Sequence, residues 1–274
     1  MTASMTDPVG AGQFTSGVNL VEVYASVTDA QGNPVRGLTQ ADFELRENGE
    51  LQAISNFTGG NFPLSVAVAI DRSFSVAQKL SLEKAATLTF LGELRPVDEV
   101  MILAIGSQVD VIAPLSTDRP SQRNVIERLD AFGTTGLHDA IIQAIDAVQP
   151  AKGRRALIVL SDGDDRYSQA SAGDVLNRAR RSDVMVFPIA MGPARPPLFA
   201  ELAALTGGRS AHAIQGDAIT ATMRGIASEL RWQYLLGYTP AKSPVAGSNE
   251  WRSISVRVKT PDASVRARDG YLIK

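Results

Sequence analysis

Cysteine is absent from the 274 residues. That excludes disulfides and thiolate metal sites, and it leaves the redox compartment open, because a cysteine-free chain tolerates cytoplasm, periplasm or exterior alike. Histidine occurs only as His138 and His212, too few for a two-histidine helix motif completed by a third ligand. No apolar run approaches the length that spans a bilayer. The opening MTASMTDPVGAGQFTSG has no apolar signal-peptide core; residues 1–16 read as a disordered lead, or as what replaces a removed export signal. An excess of one charge is also lacking: 27 Lys and Arg face 29 Asp and Glu. Polyanion binding therefore has no compositional support. No Gly-x-Gly-x-x-Gly or Walker loop follows the first buried strand, and no Gly-x-Ser-x-Gly elbow exists, so nucleotide sites and serine-hydrolase sites of those kinds are unsupported.

What is present begins with 44% hydrophobic side chains, ample for a packed core. From Val18 to about Phe57 the texture is β. Val21, Val23, Ala25 and Val27 share one face by period-two spacing. Asn48-Gly49 suits a two-residue hairpin between Phe43–Arg46 and a returning Leu51–Ile54. From about Pro63 to Leu230 strands and helices alternate. Leu64–Ile70 and Ala156–Leu160 are nearly continuous apolar runs, as in strands covered on both faces. Val100–Ile105 and Val109–Ile112 are close enough for a hairpin. Leu137, Ile141, Ala144 and Val148, then Ile219, Met223, Ile226 and Leu230, recur with helical spacing. Such alternation predicts an open α/β sheet, mostly parallel and doubly wound, with helices on both sides. From Trp232 the β texture returns. Neither β end has enough strands to stand alone, so segments 17–60 and 231–274 are expected to pair into one small β-sandwich around the α/β segment 61–230, the alternative being that they extend the edges of the central sheet. Arg257, Lys259, Arg266 and Arg268 alternate with apolar residues; they read as a wet sheet face, with an anionic partner surface as the sharper alternative.

In an open α/β sheet, ligands sit beyond the carboxyl ends of the strands. Three polar clusters fall there. Asp71, Ser73 and Ser75 follow the first apolar strand, Thr134 and Thr135 precede the helix starting near Leu137, and Asp162 closes Ser161-Asp162-Gly163 after the second buried strand. No lysine reaches the two carboxylates in sequence. Close, unneutralised carboxylates call for a proton or a cation, and oxygen donors favour Mg²⁺, Mn²⁺ or Ca²⁺ over zinc.

Asp-x-Ser-x-Ser at Asp71–Ser75, Thr135-Gly136-Leu137-His138-Asp139-Ala140 opening a helix, and a strand ending in Ser161-Asp162-Gly163 together resemble the von Willebrand factor type A domain. The resemblance implies a Rossmann-like, six-stranded sheet and that family's metal-ion-dependent adhesion site, with Asp71, Ser73, Ser75, Thr135 and Asp162 as the cation's ligands, Mg²⁺ as the first expectation, and a protein partner supplying an Asp or Glu carboxylate. Phe74 stands where the family often has Gly, and Val76 where it often has Met; Phe74, Thr134, His138 and Asp164 are the expected partner-binding rim. Ligand binding is expected to shift the final helix, Ile219 to Leu230. The stretches Val18–Val23, Gly37–Thr39 with Asp42-Phe43, Gln233–Tyr238 and Val265–Tyr271 are further similar to a bacterial branch usually called VWFA-related domain proteins, which implies a secreted or periplasmic location and supplies no partner.

The alternatives are a metal-dependent phosphoesterase and a structural envelope protein with a vestigial site. A phosphatase-like aspartyl nucleophile at Asp71 wants a second acid two residues on, where Ser73 stands. Asp162-Gly163-Asp164-Asp165 suggests a calcium loop, but Arg166 breaks the EF-hand spacing; Asp164 and Asp165 read as solvated acids, and His138 as an ordinary helix-start histidine.

Overall fold

The computed structural model describes residues 20–60, 62–242 and 248–273; the expected lead at 1–16, with Val18 and Asn19, lies outside them. The first β segment supplies β1 (Val21–Thr28), β2 (Phe43–Glu47), β3 (Glu50–Gln52) and β4 (Ile54–Gly59). The α/β segment follows as β5 (Leu64–Asp71), α1 (Leu80–Glu93), β6 (Glu99–Ile105), β7 (Val109–Ser116), α2 (Arg119–Glu127), α3 (Leu137–Val148) and β8 (Arg154–Ser161). It continues through α4 (Ala172–Arg180), β9 (Val184–Ala190), α5 (Pro197–Thr206), β10 (Ala211–His212) and α6 (Gly216–Arg231). The chain closes with β11 (Tyr234–Tyr238), β12 (Trp251–Val258), β13 (Ser264–Arg266) and β14 (Gly270–Leu272).

The central sheet has six strands in the order β10-β9-β8-β5-β6-β7, with only β7 antiparallel. All eight residues of β5 are buried, which explains its unbroken apolar run. Val66, Val68 and Ile70 face a layer containing Leu80 and Phe90 of α1, Ile126 of α2 and Met223 of α6. Ala67 and Ala69 face the opposite layer, built from Ile141 of α3, Val175 of α4 and Phe199 of α5. The strand reversal places β5 and β8 at the middle of the sheet, where a crevice opens beyond the strand ends.

Two further sheets, β13-β1-β11-β4 and β14-β12-β2-β3, share a core of Val23, Ala25, Val27, Phe43, Leu45, Tyr234, Leu236, Tyr238 and Ile254. Both draw strands from the two ends of the chain. In one, β1 pairs β11 from Val21↔Tyr238 to Ala25↔Tyr234; in the other, β2 pairs β12 from Phe43↔Val258 to Glu47↔Ile254. Asn48 and Gly49, at φ 49° and 83°, make the two-residue turn between β2 and β3, the conformation Asn-Gly favours. The strand expected to return over Leu51–Ile54 breaks at Ala53. β3 stays with β2, while β4 joins the other sheet beside β11, so one segment serves both halves of the sandwich. Within the core the buried Glu47 carboxylate accepts from Tyr238 Oη at 2.7 Å, Tyr271 Oη at 2.8 Å and Arg252 Nη1 at 2.9 Å. A buried charge persists because its lone pairs are filled.

The seam between sandwich and α/β unit corrects the reading of the alternating basic residues. Arg266 lies 2.8 Å from Glu229 on α6, and Arg268 reaches Asp183 at 2.8 Å and the Ser182 carbonyl at 3.4 Å. These two are braces, not a wet face; Arg257 and Lys259 remain exposed. Deeper in the seam, fully buried Arg154 donates to Gln233 Oε1 at 3.2 Å, and Gln233 Nε2 donates to Ser26 Oγ at 2.8 Å. Burial pulls the Arg154 guanidinium down to about 10. Among the described residues no helix is long and apolar enough to cross a membrane. Gln233→Ala strands Arg154 and Ser26 and is expected to lower stability by about 1–3 kcal/mol, read as a lower urea midpoint at unchanged m; an unchanged midpoint would refute the bridging role.

Candidate functional site

β5 and β8 pair in parallel register, Ile70 opposite Leu160, and β5 meets β6 at Asp71↔Ile105. Asp71 therefore ends its strand level with Ser161. Its Oδ1 accepts from Ser73 N at 2.9 Å, the turn an aspartate forms with the backbone two residues on. Its Oδ2 accepts from Ser161 Oγ at 2.8 Å. The Ser73 and Ser75 hydroxyls lie 3.0 Å apart. On the β8 side, Gly163 N donates to Ser161 Oγ at 3.1 Å and Asp164 N to Asp162 Oδ1 at 3.1 Å. Gly163 sits at φ 87°, and a Cβ there would fall 2.2 Å from Pro196 Cγ, so the turn after Asp162 requires glycine.

The loop carrying Thr134 and Thr135 is laced to both others through the backbone. Phe74 N donates to Gly133 O at 3.2 Å, Phe132 N to Arg72 O at 2.7 Å and Arg166 N to Thr135 O at 3.2 Å. Asp71, Ser73 and Thr135 are buried, Asp162 is half-buried, and Ser75 and Thr134 are exposed. Thr134 N donates to Ser107 Oγ at 3.3 Å, and the Thr134 Oγ1 lies 3.4 Å from the same Ser107 oxygen, while the Thr135 side chain has no such tie among the described residues.

The two acids read as solvated differ. Asp164 is exposed and pairs with Arg166 at 2.9 Å. Asp165 is not a solvated acid: its Oδ1 accepts from His138 N at 3.2 Å and from Ser168 Oγ at 2.6 Å. It caps the first turn of α3, where backbone N–H groups otherwise lack partners. His138 Nδ1 lies 3.1 Å from the Ala170 carbonyl and 3.4 Å from Asp165 Oδ2, so this histidine is tied into the cap.

Sequence reasoning missed Glu83. It sits on the face of α1 with Leu80, Ala86 and Phe90, fully buried, and neither carboxylate oxygen has a partner among the described residues. A glutamate at a core-facing helical position was the available signal. Burial holds its carboxyl well above the ordinary range; the charges of Asp71 and Asp162 push the same way, and Lys79 opposes them. Lys79 also donates to the Met191 carbonyl beyond β9, so a lysine does approach this cluster. Asp71 is raised too, first by burial and in part by Asp162, against the hydrogen bonds from Ser73 and Ser161.

Among the described residues no group of three or more His, Asp or Glu side chains is arranged to hold a metal; the cluster relies on hydroxyl oxygens for most of its donors. Its chemistry nonetheless fits a hard divalent ion. The carboxyls of Asp71 and Glu83 are held toward their protonated forms, and neither Asp71 nor Asp162 is ion-paired among the described residues. A cation relieves that repulsion.

Residues 66–164 match the family model of the von Willebrand factor type A domain. A curated relative, inter-alpha-trypsin inhibitor heavy chain H1 of Mesocricetus auratus, is 23% identical over 143 residues, 47% of this chain and 16% of that protein, so the chain spans a small fraction of its relative's length. Among solved structures, a von Willebrand factor type A protein from Catenulispora acidiphila aligns with a TM-score of 0.56 at 12% identity, over 95% of this chain and 76% of that one. Proximal thread matrix protein 1 from the mussel byssus, with a zinc-occupied MIDAS motif, aligns with a TM-score of 0.53 at 12% identity, over 63% and 46%. These likenesses show the fold.

Glu83 sets a pH dependence in metal-free protein. Its folded carboxyl binds a proton that the unfolded chain releases above about 4.5. The native state then holds more protons than the unfolded one, so stability is present at low pH and falls as pH rises above that range, with a limiting slope of about 1.4 kcal/mol per pH unit. Glu83→Gln is expected to flatten that slope and raise the melting temperature at pH 8 in chelator. A variant with the parent's pH profile would show that Glu83 is not the titrating group.

Proposed function

Taking as premise that the central α/β unit is a von Willebrand factor type A domain, we propose that its strand-end cluster binds a divalent cation and accepts a carboxylate from a protein partner. Domains of this family generally mediate protein interaction, and the reading is of a binding module, not an enzyme. The observation that carries it is the arrangement at Asp71: a buried, unpaired carboxylate held by Ser73 N and Ser161 Oγ, with the Ser73 and Ser75 hydroxyls 3.0 Å apart. In this reading Ser73, Ser75 and Thr135 supply neutral oxygens, while Asp71 and Asp162 supply charge directly or through water. Mg²⁺ is the first candidate, with Mn²⁺ or Ca²⁺ next. Few charged ligands leave the ion electron-poor and receptive to an outside acid. The chain's own residues do the positioning: Ser161 orients Asp71, and Glu83 and Lys79 set the charge beneath it.

The surface around the cluster supports a protein partner. The only exposed aromatic side chains among the described residues are Phe74, Phe132 and Tyr167, at 67, 59 and 63%. Each comes from one of the three loops just laced together. Exposed aromatics clustered at one place mark interaction surfaces. With Thr134, His138 and Asp164 they form the proposed rim, suited to an acidic residue flanked by apolar ones.

Millimolar Mg²⁺ is expected to raise the melting temperature of the parent protein, the gain being about 2.7 kcal/mol at a hundredfold excess over Kd. Asp71→Ala and Asp162→Ala should each abolish the gain. Equal melting in Mg²⁺ and in chelator would end the cation reading, and turnover of a generic phosphate ester with Mg²⁺ would favour an enzyme instead. Phe74→Ser combined with Tyr167→Ser should leave Mg²⁺ stabilisation intact while weakening chelator-sensitive capture of a partner at least about tenfold; capture at parental strength would remove the aromatic rim from the proposal.

A further inference from the structure

At the opposite edge of the α/β unit lies a cleft of about 650 Å³, within the size range of small-molecule sites. Its floor is the amino-terminal ends of β8 and β9, at Arg155, Val184 and Met185; the end of α4 and the last turn of α5 form one wall, and β1, Trp251 and the residues around β14 form the other. It therefore straddles the seam and is remote in the fold from the strand-end cluster, which occupies the carboxyl ends of β5 and β8.

The cleft's chemistry is two-sided. Val184 and Met185 are buried members of the floor, and Leu205 and Trp251 add apolar surface. Four arginines line it, Arg155, Arg180, Arg181 and Arg268, against two acids, Glu22 and Asp183. Arg268 is spoken for by Asp183 at 2.8 Å. Of the other three, Arg180 donates to Asn177 Oδ1 at 3.1 Å, and basic groups on the lining outnumber acids four to two. Arg155 donates through Nη1 to the Gln149 carbonyl at 2.9 Å, but its Nε is shielded from water and has no partner among the described residues. The lining thus carries more guanidinium than carboxylate in a partly enclosed space, where an oxyanion is favoured.

We propose that this seam cleft binds a small amphipathic anion, whose carboxylate or phosphate head is taken by Arg155 with Arg180 or Arg181 and whose apolar body lies on Val184, Met185, Leu205 and Trp251. The planar guanidinium fork matches either head group, so the chemistry is shared and the probes separate the sources. This inference is independent of the cation reading.

The test is calorimetric titration of the full chain, in chelator, with octanoate, octyl phosphate, octanol and acetate. Saturable binding of octanoate or octyl phosphate is expected, at least about tenfold tighter than octanol, which lacks the charge, and acetate, which lacks the body. Arg155→Ala should weaken the charged probe about tenfold, and Trp251→Ala, which removes the partly exposed apolar surface of one wall, should weaken octanoate and octyl phosphate by a similar factor. Circular dichroism and melting like the parent's show that either variant is folded; Arg155→Lys, which keeps charge but not the fork, gives a second variant that should bind between parent and alanine. Octanol binding as tightly as octanoate, charged-probe affinity unchanged in both Arg155 variants, or no binding of any probe would each overturn the proposal.

Discussion

The parallel pairing of β5 with β8 is the constraint on which the rest of the molecule depends. Its register, Leu64↔Arg154 through Ile70↔Leu160, fixes both ends of the sheet at once. At the carboxyl end it sets Asp71 level with Ser161, so one short hydrogen bond can join two loops that are 90 residues apart in sequence. At the amino end it sets Arg154 at the seam, where the sandwich strands must meet it through Gln233 and Ser26. A slip of one residue would turn Asp71 into a helix layer and move Arg154 off its partners. Both faces of the pair are apolar and buried, which is why such a slip is forbidden.

That constraint concentrates negative charge. Asp71, Asp162 and Glu83 approach one another in a region that excludes water from two of them. The fold answers with backbone and hydroxyl donors for Asp71 and with Lys79 near Glu83, and among the described residues it leaves the Glu83 oxygens without donors. A site arranged only for stability would place an apolar side chain at position 83, since a buried carboxyl without a partner destabilises. Local rules broken without a structural gain are the mark of a functional region.

Much of this was legible in the chain. The unbroken apolar runs at Leu64–Ile70 and Ala156–Leu160 announce strands buried on both faces, and the polar clusters that end them announce a crevice. What was not legible depends on long-range approach. Glu83 reads as one more charged residue on a helix until the helix face is known to be covered. Asp165 reads as a loop acid until α3 is seen to start beside it. Arg266 and Arg268 alternate like a solvent face, but the face they belong to is pressed against α6 and the turn after α4. The break at Ala53 was hidden because a strand that changes sheets keeps the same local pattern on either side of the break.

The same seam bears on how a partner signal could travel. Shifting α6 on ligand binding is an attractive coupling because that helix runs straight into β11. Yet Glu229, buried near the end of α6, lies 2.8 Å from Arg266 of the sandwich and 3.4 Å from Arg209 beside β10. Moving the helix along its axis would pull Glu229 from both arginines. Leaving a buried carboxylate unpaired costs on the order of 3 kcal/mol. A ligand can shift an equilibrium only by its differential affinity for the two states, so it would need to prefer the shifted form by roughly a hundredfold. An α6 pinned at its carboxyl end therefore argues against a signal carried by sliding this helix, and for the proposed partner docking onto a surface that the three laced loops hold in place.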